Sequence, residues 1–146
     1  MYIKITNGSP EKYSLRQLRS DNPNTSFPAE PTDALLAEWD VFPYTRPDRP
    51  DYDHLTTTLV DGNFEQDAVG NWSLPYVVQQ RPQADAERNV RSRRDDLLQE
   101  SDWTQLPDSP LSADSKTAWS TYRQQLRDIT GQAGFPYSVT WPTPPE

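Results

Sequence analysis

The pattern of apolar and polar positions separates a strand-rich first half from a helical second half. Residues Tyr2–Ile5 alternate so that Ile3 and Ile5 share one face, as in a half-buried strand. The pair Asn7-Gly8 follows, and both residue types tolerate the positive φ angles of a tight reversal. The first segment therefore predicts a hairpin whose second strand lies near Glu11–Ser14.

Short elements separated by turn signals are expected up to residue 81. Thr32 is a candidate N-cap for a short helix that runs to Trp39. A strand is expected at Val41-Phe42, followed by an ordered extended loop. Residues 54–80 are rich in β-branched and aromatic residues and contain turn pairs, which favours three short antiparallel strands. Pro75 lies inside the last of these and indicates an edge strand or a bulge.

The second half contains two stripes of apolar residues at helical spacing. Residues 84–100 contain good helix formers and neither Gly nor Pro. Their stripe consists of Ala86, Val90, Leu97 and Leu98. Prolines then prevent the helix from continuing, Ser112 is a candidate N-cap, and Gly131 is expected to end a second helix. The second stripe consists of Trp119, Tyr122, Leu126 and Ile129.

These elements predict an α+β fold in two parts, divided where the composition changes at Arg81-Pro82. Residues 1–81 are expected to form a small antiparallel β-sheet unit. Residues 82–146 are expected to form an α-helical hairpin with an extended tail rich in proline and aromatic residues. Because so short a hairpin is marginally stable by itself, the tail from Phe135 to Trp141 is expected to fold back or to lie on a partner.

Composition and charge narrow the range of partners. Apolar residues make up 33% of the chain. The net charge of −8 disfavours binding to nucleic acid and to anionic membranes, because both carry negative charge. Four arginines between residues 88 and 94 are flanked by Asp85 and Glu87 on one side and by Asp95 and Asp96 on the other, a pattern typical of an ion-paired helix face. The expected pairs are Glu87 with Arg91 and Arg91 with Asp95. No window is apolar enough to span a membrane, so we expect a soluble protein in the cytosol.

No arrangement of residues indicates catalysis or a cofactor. The chain has no cysteine, and His54 is its single histidine, which makes a poor transition-metal site. Aspartates near residues 48–53 lack the twelve-residue loop ending in Glu that binds calcium. Phosphate-binding and dinucleotide-binding glycine motifs are missing as well. We therefore expect no cofactor, no metal and no enzymatic activity.

Several strings between residues 93 and 142 occur in an unusual combination. They are Arg93-Arg94-Asp95-Asp96-Leu97-Leu98, Asp102-Trp103-Thr104-Gln105-Leu106-Pro107-Asp108, Tyr122-Arg123-Gln124-Gln125-Leu126-Arg127-Asp128, Gly134-Phe135-Pro136 and Trp141-Pro142. This combination resembles the C-terminal module of the phage tail fibre assembly chaperone family. Residues 13–28 and 67–72 also resemble segments of phage tail proteins that carry the same module.

The resemblance implies a non-catalytic phage tail protein that binds the tail fibre at its distal C-terminal region. Its role would be to assist folding, trimerisation or attachment of the fibre, in the host cytoplasm during assembly. Two alternatives stay open. One is a permanent structural subunit of the virion, at the baseplate or fibre tip, present as an oligomer around the tail axis. The other is a carbohydrate-binding tip whose platform is formed by the aromatic residues of 72–80.

Eight residues of the second half are candidates for partner binding. They are Trp103, Trp119, Tyr122, Arg123, Leu126, Arg127, Phe135 and Trp141. The apolar members form either the core of the hairpin or an exposed groove. Arg123 and Arg127 lie one helical turn apart, so they either clamp a carboxylate of the partner or pair within the hairpin with Asp95, Asp96 or Asp128.

Overall fold

The computed structural model describes residues 1–146 and contains seven strands, four α-helices and two 3₁₀ helices. The strands are β1 (Tyr2–Thr6), β2 (Ser9–Tyr13), β3 (Val41–Thr45), β4 (Thr57–Asp61), β5 (Glu65–Gln66), β6 (Trp72–Ser73) and β7 (Tyr76–Gln80). The helices are α1 (Leu15–Asp21), α2 (Asp33–Ala37), α3 (Gln83–Glu100) and α4 (Ala113–Asp128), with 3₁₀ helices at Asp102–Gln105 and Ile129–Gly131. The predicted α+β class is confirmed.

The chain forms two compact units, and each is described by itself. The N-terminal unit comprises residues 1–51 and 59–77, and the C-terminal unit comprises residues 52–58 and 78–146. The chain therefore changes unit after residues 51, 58 and 77. The single boundary expected at Arg81-Pro82 stays a prediction.

Five strands of the N-terminal unit form one sheet in the order β2-β1-β3-β6-β5. Strand β1 pairs antiparallel with β2, as the predicted hairpin requires, and its other edge pairs antiparallel with β3. Strands β3 and β6 pair in parallel, with Tyr44 opposite Trp72. A parallel pair needs a long connection to return in the same direction, and residues 46–71 supply one. The sheet is thus antiparallel in most pairs but not in all.

Turn residues and prolines set the limits of these strands. Asn7 and Gly8 have φ angles of 52° and 79°, the double positive φ of a two-residue hairpin turn. Pro75 divides the strand expected at residues 72–80 into β6 and β7, because proline cannot donate to a strand ladder. Helix α2 begins after the Thr32 cap but ends at Ala37, before Trp39.

Two apolar clusters form the core of the N-terminal unit. One contains the buried residues Ile3, Tyr44 and Leu74. The other contains Leu18, Leu36 and Val41 where α1 and α2 cover the sheet. Aromatic side chains at the edges of both clusters compensate for the low apolar content of the sequence.

Strands β4 and β7 form a separate two-stranded sheet. The Gly62 amide donates to the Pro75 carbonyl at 2.8 Å, and the Arg81 amide donates to the Thr56 carbonyl at 2.9 Å. These bonds at opposite ends of the pair show that the two strands run antiparallel.

The C-terminal unit is an α-helical hairpin covered by its own tail. Its buried cluster contains Val90 of α3 and Tyr122, Leu126 and Ile129 around α4, which confirms the predicted stripes. Ser112 caps α4 by accepting the Ser115 amide at 3.1 Å, as predicted. The apolar residues packed against this cluster are Leu55, Leu97, Leu98, Trp119, Phe135, Val139 and Trp141. The tail therefore folds back onto the hairpin.

Gly131 does not end α4 in the expected way. Its φ is not positive, and the helix instead tightens into the 3₁₀ helix Ile129–Gly131. Such tightening satisfies carbonyl groups of the last turn without a left-handed residue.

One of the two expected ion pairs on α3 forms. Arg91 pairs with Glu87 at 2.8 Å, whereas Asp95 pairs with Arg94 at 2.7 Å instead of with Arg91. The Arg91 guanidinium also lies 5.3 Å from the centre of the Phe135 ring. Its contacts with Glu87 and the folded tail hold Arg91 away from Asp95.

Gly134 is required by a close approach within the tail. A Cβ atom at Gly134 would lie 2.2 Å from the Ser138 carbonyl oxygen, whereas nothing lies within 4 Å of the equivalent position at Gly131. We predict that Gly134→Ala lowers the free energy of unfolding of the C-terminal unit by roughly 1–3 kcal/mol. The matched control Gly131→Ala should change it by less than about 0.5 kcal/mol. Urea denaturation followed by circular dichroism at the helical band measures both, and equal midpoints would contradict the steric explanation.

Asp61 joins two cations of the N-terminal unit. Its carboxylate accepts from the Lys12 ammonium at 2.5 Å and from the Arg46 guanidinium at 2.8 Å. The hydrogen bond from Lys12 and then that from Arg46 lower the pKa of Asp61 below its ordinary value. Asp61 thereby connects β4 to β2 and to the residue that follows β3.

This lowered pKa makes the stability of the N-terminal unit depend on acid pH. Because the folded pKa lies below the unfolded value, the stabilisation is present above the unfolded value and is lost as pH falls through the folded pKa. We predict that the urea midpoint of the wild type falls more steeply than that of Asp61→Asn between about pH 5 and pH 2. Asp48→Asn, an exposed change outside the ion pairs, is the control and should follow the wild type. Parallel curves for Asp61→Asn and the wild type would contradict the prediction.

Candidate partner-binding surface

The eight candidate residues all belong to the C-terminal unit but differ widely in exposure. Tyr122, Arg123 and Leu126 are buried on α4. Trp119, Phe135 and Trp141 are half-buried, and Trp103 and Arg127 are exposed. The six buried or half-buried residues therefore pack around one helical hairpin, whereas Trp103 and Arg127 are accessible on its surface.

Arg123 lies at the centre of the junction between α3 and α4. Its Nη1 donates to the Leu98 carbonyl at 2.5 Å and to the Ser101 hydroxyl oxygen at 2.8 Å. Its Nη2 donates to the Asp102 carboxylate at 2.7 Å. Arg123 as a whole residue is 8% exposed, and its Nε atom has no hydrogen-bond partner. These bonds satisfy the C-terminal end of α3 and anchor the 3₁₀ helix that follows.

The expected partners of the two arginines are therefore wrong in detail. Arg123 pairs within the hairpin, but with Asp102 instead of Asp95, Asp96 or Asp128. Asp102 reaches it because the 3₁₀ helix turns the chain back toward α4, a feature that helical spacing alone does not encode. Arg127 takes part in none of the ion pairs and is the arginine accessible to a partner.

A row of aromatic rings leads from the surface into the core. The ring centres of Trp103 and Trp119 lie 6.4 Å apart, and those of Trp119 and Tyr122 lie 5.6 Å apart at an interplanar angle of 89°. The second pair has the edge-to-face geometry that aromatic rings prefer. Because Tyr122 is fixed in the core, the row holds Trp103 in a defined position.

Trp103 and Leu106 form an exposed apolar patch beside this row. Trp103 is 47% exposed and Leu106 is 52% exposed. Sequence reasoning did not select Leu106, although its place one turn after Trp103 was a usable signal. Large apolar side chains that stay exposed on an ordered element mark interaction surfaces.

The tail is fastened to the hairpin by specific hydrogen bonds. The Gln132 side chain donates to the Thr140 carbonyl at 2.9 Å and accepts the Thr140 amide at 2.8 Å. The Tyr137 hydroxyl donates to the Arg81 carbonyl at 2.8 Å. These bonds fix residues 132–140 as a closed loop and position Trp141 against the core.

A groove of about 350 Å³ lies beside the folded tail. Its lining residues are Leu55, Arg93, Leu97, Tyr122, Trp141, Pro142 and Pro144. The charge pattern predicts Arg93 on an ion-paired face, but Arg93 makes no ion pair and lines this groove. Its spacing from Val90 and Leu97, at i, i+3 and i+7, was the signal that it borders the apolar stripe.

The structure also shows the surroundings of His54 and of the acidic residues considered as metal ligands. The ring centres of His54 and Tyr52 lie 4.3 Å apart, and no group of three or more His, Cys, Asp or Glu residues is placed to hold a metal. None of the helices has the length and apolar character needed to cross a bilayer.

In the N-terminal unit, Arg46 and Arg49 lie 5.0 and 5.8 Å from the centre of the Tyr76 ring. Tyr76 is thus covered by cations where a sugar platform would need a free face.

Comparison with known proteins identifies the region that carries these features. Residues 87–146 match the family model described as phage tail assembly chaperone protein. This part of the chain is similar to the phage tail assembly chaperone family. The resemblance seen in the sequence strings is confirmed. No curated protein and no solved structure matches the chain.

The match covers the tail assembly chaperone module from the second turn of α3 to the C-terminus. All eight candidate residues lie inside it, as do Arg93, Asp102 and Leu106. Leu55 lies outside the matched residues but packs on the module's core. The family indicates a role in phage tail assembly with tail proteins as partners, exerted by binding.

The Arg123 junction predicts a large stability difference between two neighbouring arginines. Arg123→Met should destabilise the chaperone module by about 2–3 kcal/mol, because hydrogen bonds made by a charged donor are lost and their acceptors are left unpaired. Arg127→Met removes the same charge from an exposed position and should cost less than about 0.5 kcal/mol. Urea denaturation followed by helical circular dichroism tests the pair, and similar midpoints for both variants would refute the role of Arg123.

Proposed function

We propose that this chain is a chaperone of tail fibre assembly that acts by binding, without catalysis. In this proposal it binds the distal C-terminal region of the fibre in the host cytoplasm and assists folding, trimerisation or attachment. The family match to residues 87–146 supports the general role in tail assembly. The tail fibre as the specific partner is our proposal.

The exposed patch of Trp103 and Leu106 carries this proposal. Both side chains remain about half exposed on an ordered 3₁₀ helix and its C-terminal flank, although Trp119 and the tail are drawn into the core. A trimerising fibre exposes apolar surface and strand edges before its subunits close. A rigid aromatic anchor binds such surface with little loss of conformational entropy.

The acidic charge of the chain suits a reversible helper. A net charge of −8 keeps a protein with exposed aromatic side chains soluble and separates its copies. Arg127, exposed on α4 and outside the ion pairs, offers one positive group to a carboxylate of the partner. The net negative charge disfavours a second copy of the chain as the occupant of the apolar patch.

Co-expression with the tail fibre tests the proposal. Each of the two anchors should contribute about 1–2 kcal/mol, so the double change Trp103→Ser and Leu106→Ser should weaken fibre binding by at least about tenfold. The yield of protease-resistant fibre trimers should fall accordingly. Val69→Ser is the control, because Val69 is 83% exposed but belongs to the N-terminal unit.

Two results would overturn the proposal. Fibre that trimerises and resists protease equally well without this protein would remove the folding role. Mass spectrometry of purified particles supplies the second test, since a transient chaperone should be absent from them. A fixed ratio of this chain to the fibre in the particle would establish the structural-subunit alternative.

A further inference from the structure

The groove beside the tail has an apolar floor built from three parts of the C-terminal unit. Leu97 belongs to α3, Trp141 belongs to the tail, and Leu55 comes from the segment of residues 52–58. All three pack against the buried cluster and are half-buried. The floor is therefore held in place by the core, and its remaining apolar surface faces an open volume of about 350 Å³.

Two prolines limit how far this groove can close. Pro142 and Pro144 line it on the tail side. Proline fixes φ, so this short wall has few conformations with which to fill the space itself. A preformed apolar groove of this kind loses little entropy when an extended segment binds.

Two polar side chains that line the groove, those of Tyr122 and Arg93, make no side-chain hydrogen bond or ion pair within the protein. Tyr122 is 4% exposed, yet its hydroxyl makes none of the side-chain hydrogen bonds of the module. Arg93 is exposed and takes part in none of the ion pairs, unlike Arg88, Arg91 and Arg94 on the same helix. A phenol and a guanidinium that line the same groove and have no partner in the protein supply hydrogen-bond donors suited to a carboxylate.

Two charged side chains act on the Tyr122 hydroxyl in opposite directions. Burial raises the pKa of Tyr122, the charge of Glu100 raises it further, and the charge of Arg93 lowers it. Of these two groups, Arg93 lines the groove, whereas Glu100 is not part of its lining. Since Arg93 is not paired with Glu100, its guanidinium is available to an incoming anion.

We propose that this groove binds a short segment of the partner in which an apolar side chain adjoins a carboxylate. The apolar side chain lies on Leu97 and Trp141, and the carboxylate accepts hydrogen bonds from Arg93 and the Tyr122 hydroxyl. This names the kind of fibre segment recognised, and in that respect it rests on the proposed function. A second copy of the chain is a poor occupant, because two chains of charge −8 repel each other.

Matched synthetic peptides test the groove without the fibre. The probes are acetyl-Leu-Phe-Glu-amide and its neutral counterpart acetyl-Leu-Phe-Gln-amide, titrated into the full-length, ¹⁵N-labelled chain. We expect the acidic peptide to bind at least about fivefold more tightly. Its chemical-shift changes should centre on the Trp141 indole and on the amides near Arg93 and Leu97.

Three variants isolate the donors. Arg93→Gln should remove the preference for the acidic peptide and leave binding of the neutral peptide unchanged. Tyr122→Phe keeps the buried ring and should reduce the preference in part. Arg88→Gln is the control on the exposed face of α3, where Arg88 pairs with Asp85, and it should preserve the preference.

Three results would contradict binding of the acidic segment in the groove. Equal binding of the two peptides, an unchanged preference in Arg93→Gln, or shifts that map elsewhere would overturn the groove proposal. Sedimentation that shows dimers dissociated by Arg93→Gln would assign the groove to a second copy instead. Peptide binding as expected, combined with normal fibre trimerisation in the absence of the protein, would retain the peptide site and reject the fibre chaperone.

Discussion

The hydrogen bonds of Arg123 hold the two long helices of the chaperone module in one arrangement. The guanidinium of α4 satisfies a carbonyl at the end of α3, the Ser101 hydroxyl and the Asp102 carboxylate. Because Arg123 is buried, each of these bonds is costly to break. The junction thereby fixes where the 3₁₀ helix leaves α3, and the rest of the module is built around that point.

The positions of the exposed and buried aromatic residues depend on this junction. Trp103 extends from the 3₁₀ helix that Arg123 anchors, and Trp119 and Tyr122 lie on the same helix as Arg123. The tail packs on the same core and is fastened by the bonds between Gln132 and Thr140. The module therefore presents two distinct surfaces, an apolar patch at Trp103 and a groove at Trp141. A binding protein with little apolar content gains from rigidity of this kind, since few contacts must provide its affinity.

Residues 87–146 carry the family match, yet the packed unit is larger than that segment. Leu55 joins the module's core, and Asn89 donates to the Leu55 carbonyl at 2.9 Å. A segment distant in sequence thus completes the floor of the groove. The N-terminal unit has its own sheet and its own two apolar clusters, and its contribution to tail assembly is a separate question from that of the module.

The amino-acid sequence by itself determined the local elements and the family. Alternation in β1, the Asn7-Gly8 turn, the Ser112 cap and the helical stripes follow from rules that act within a few residues, and the structure confirms them. Tertiary structure alone decided the parallel pairing of β3 with β6, the partner of Arg123 and the groove beside Trp141. These features join residues far apart in the chain, and their energies depend on burial and distance, which a linear pattern does not contain.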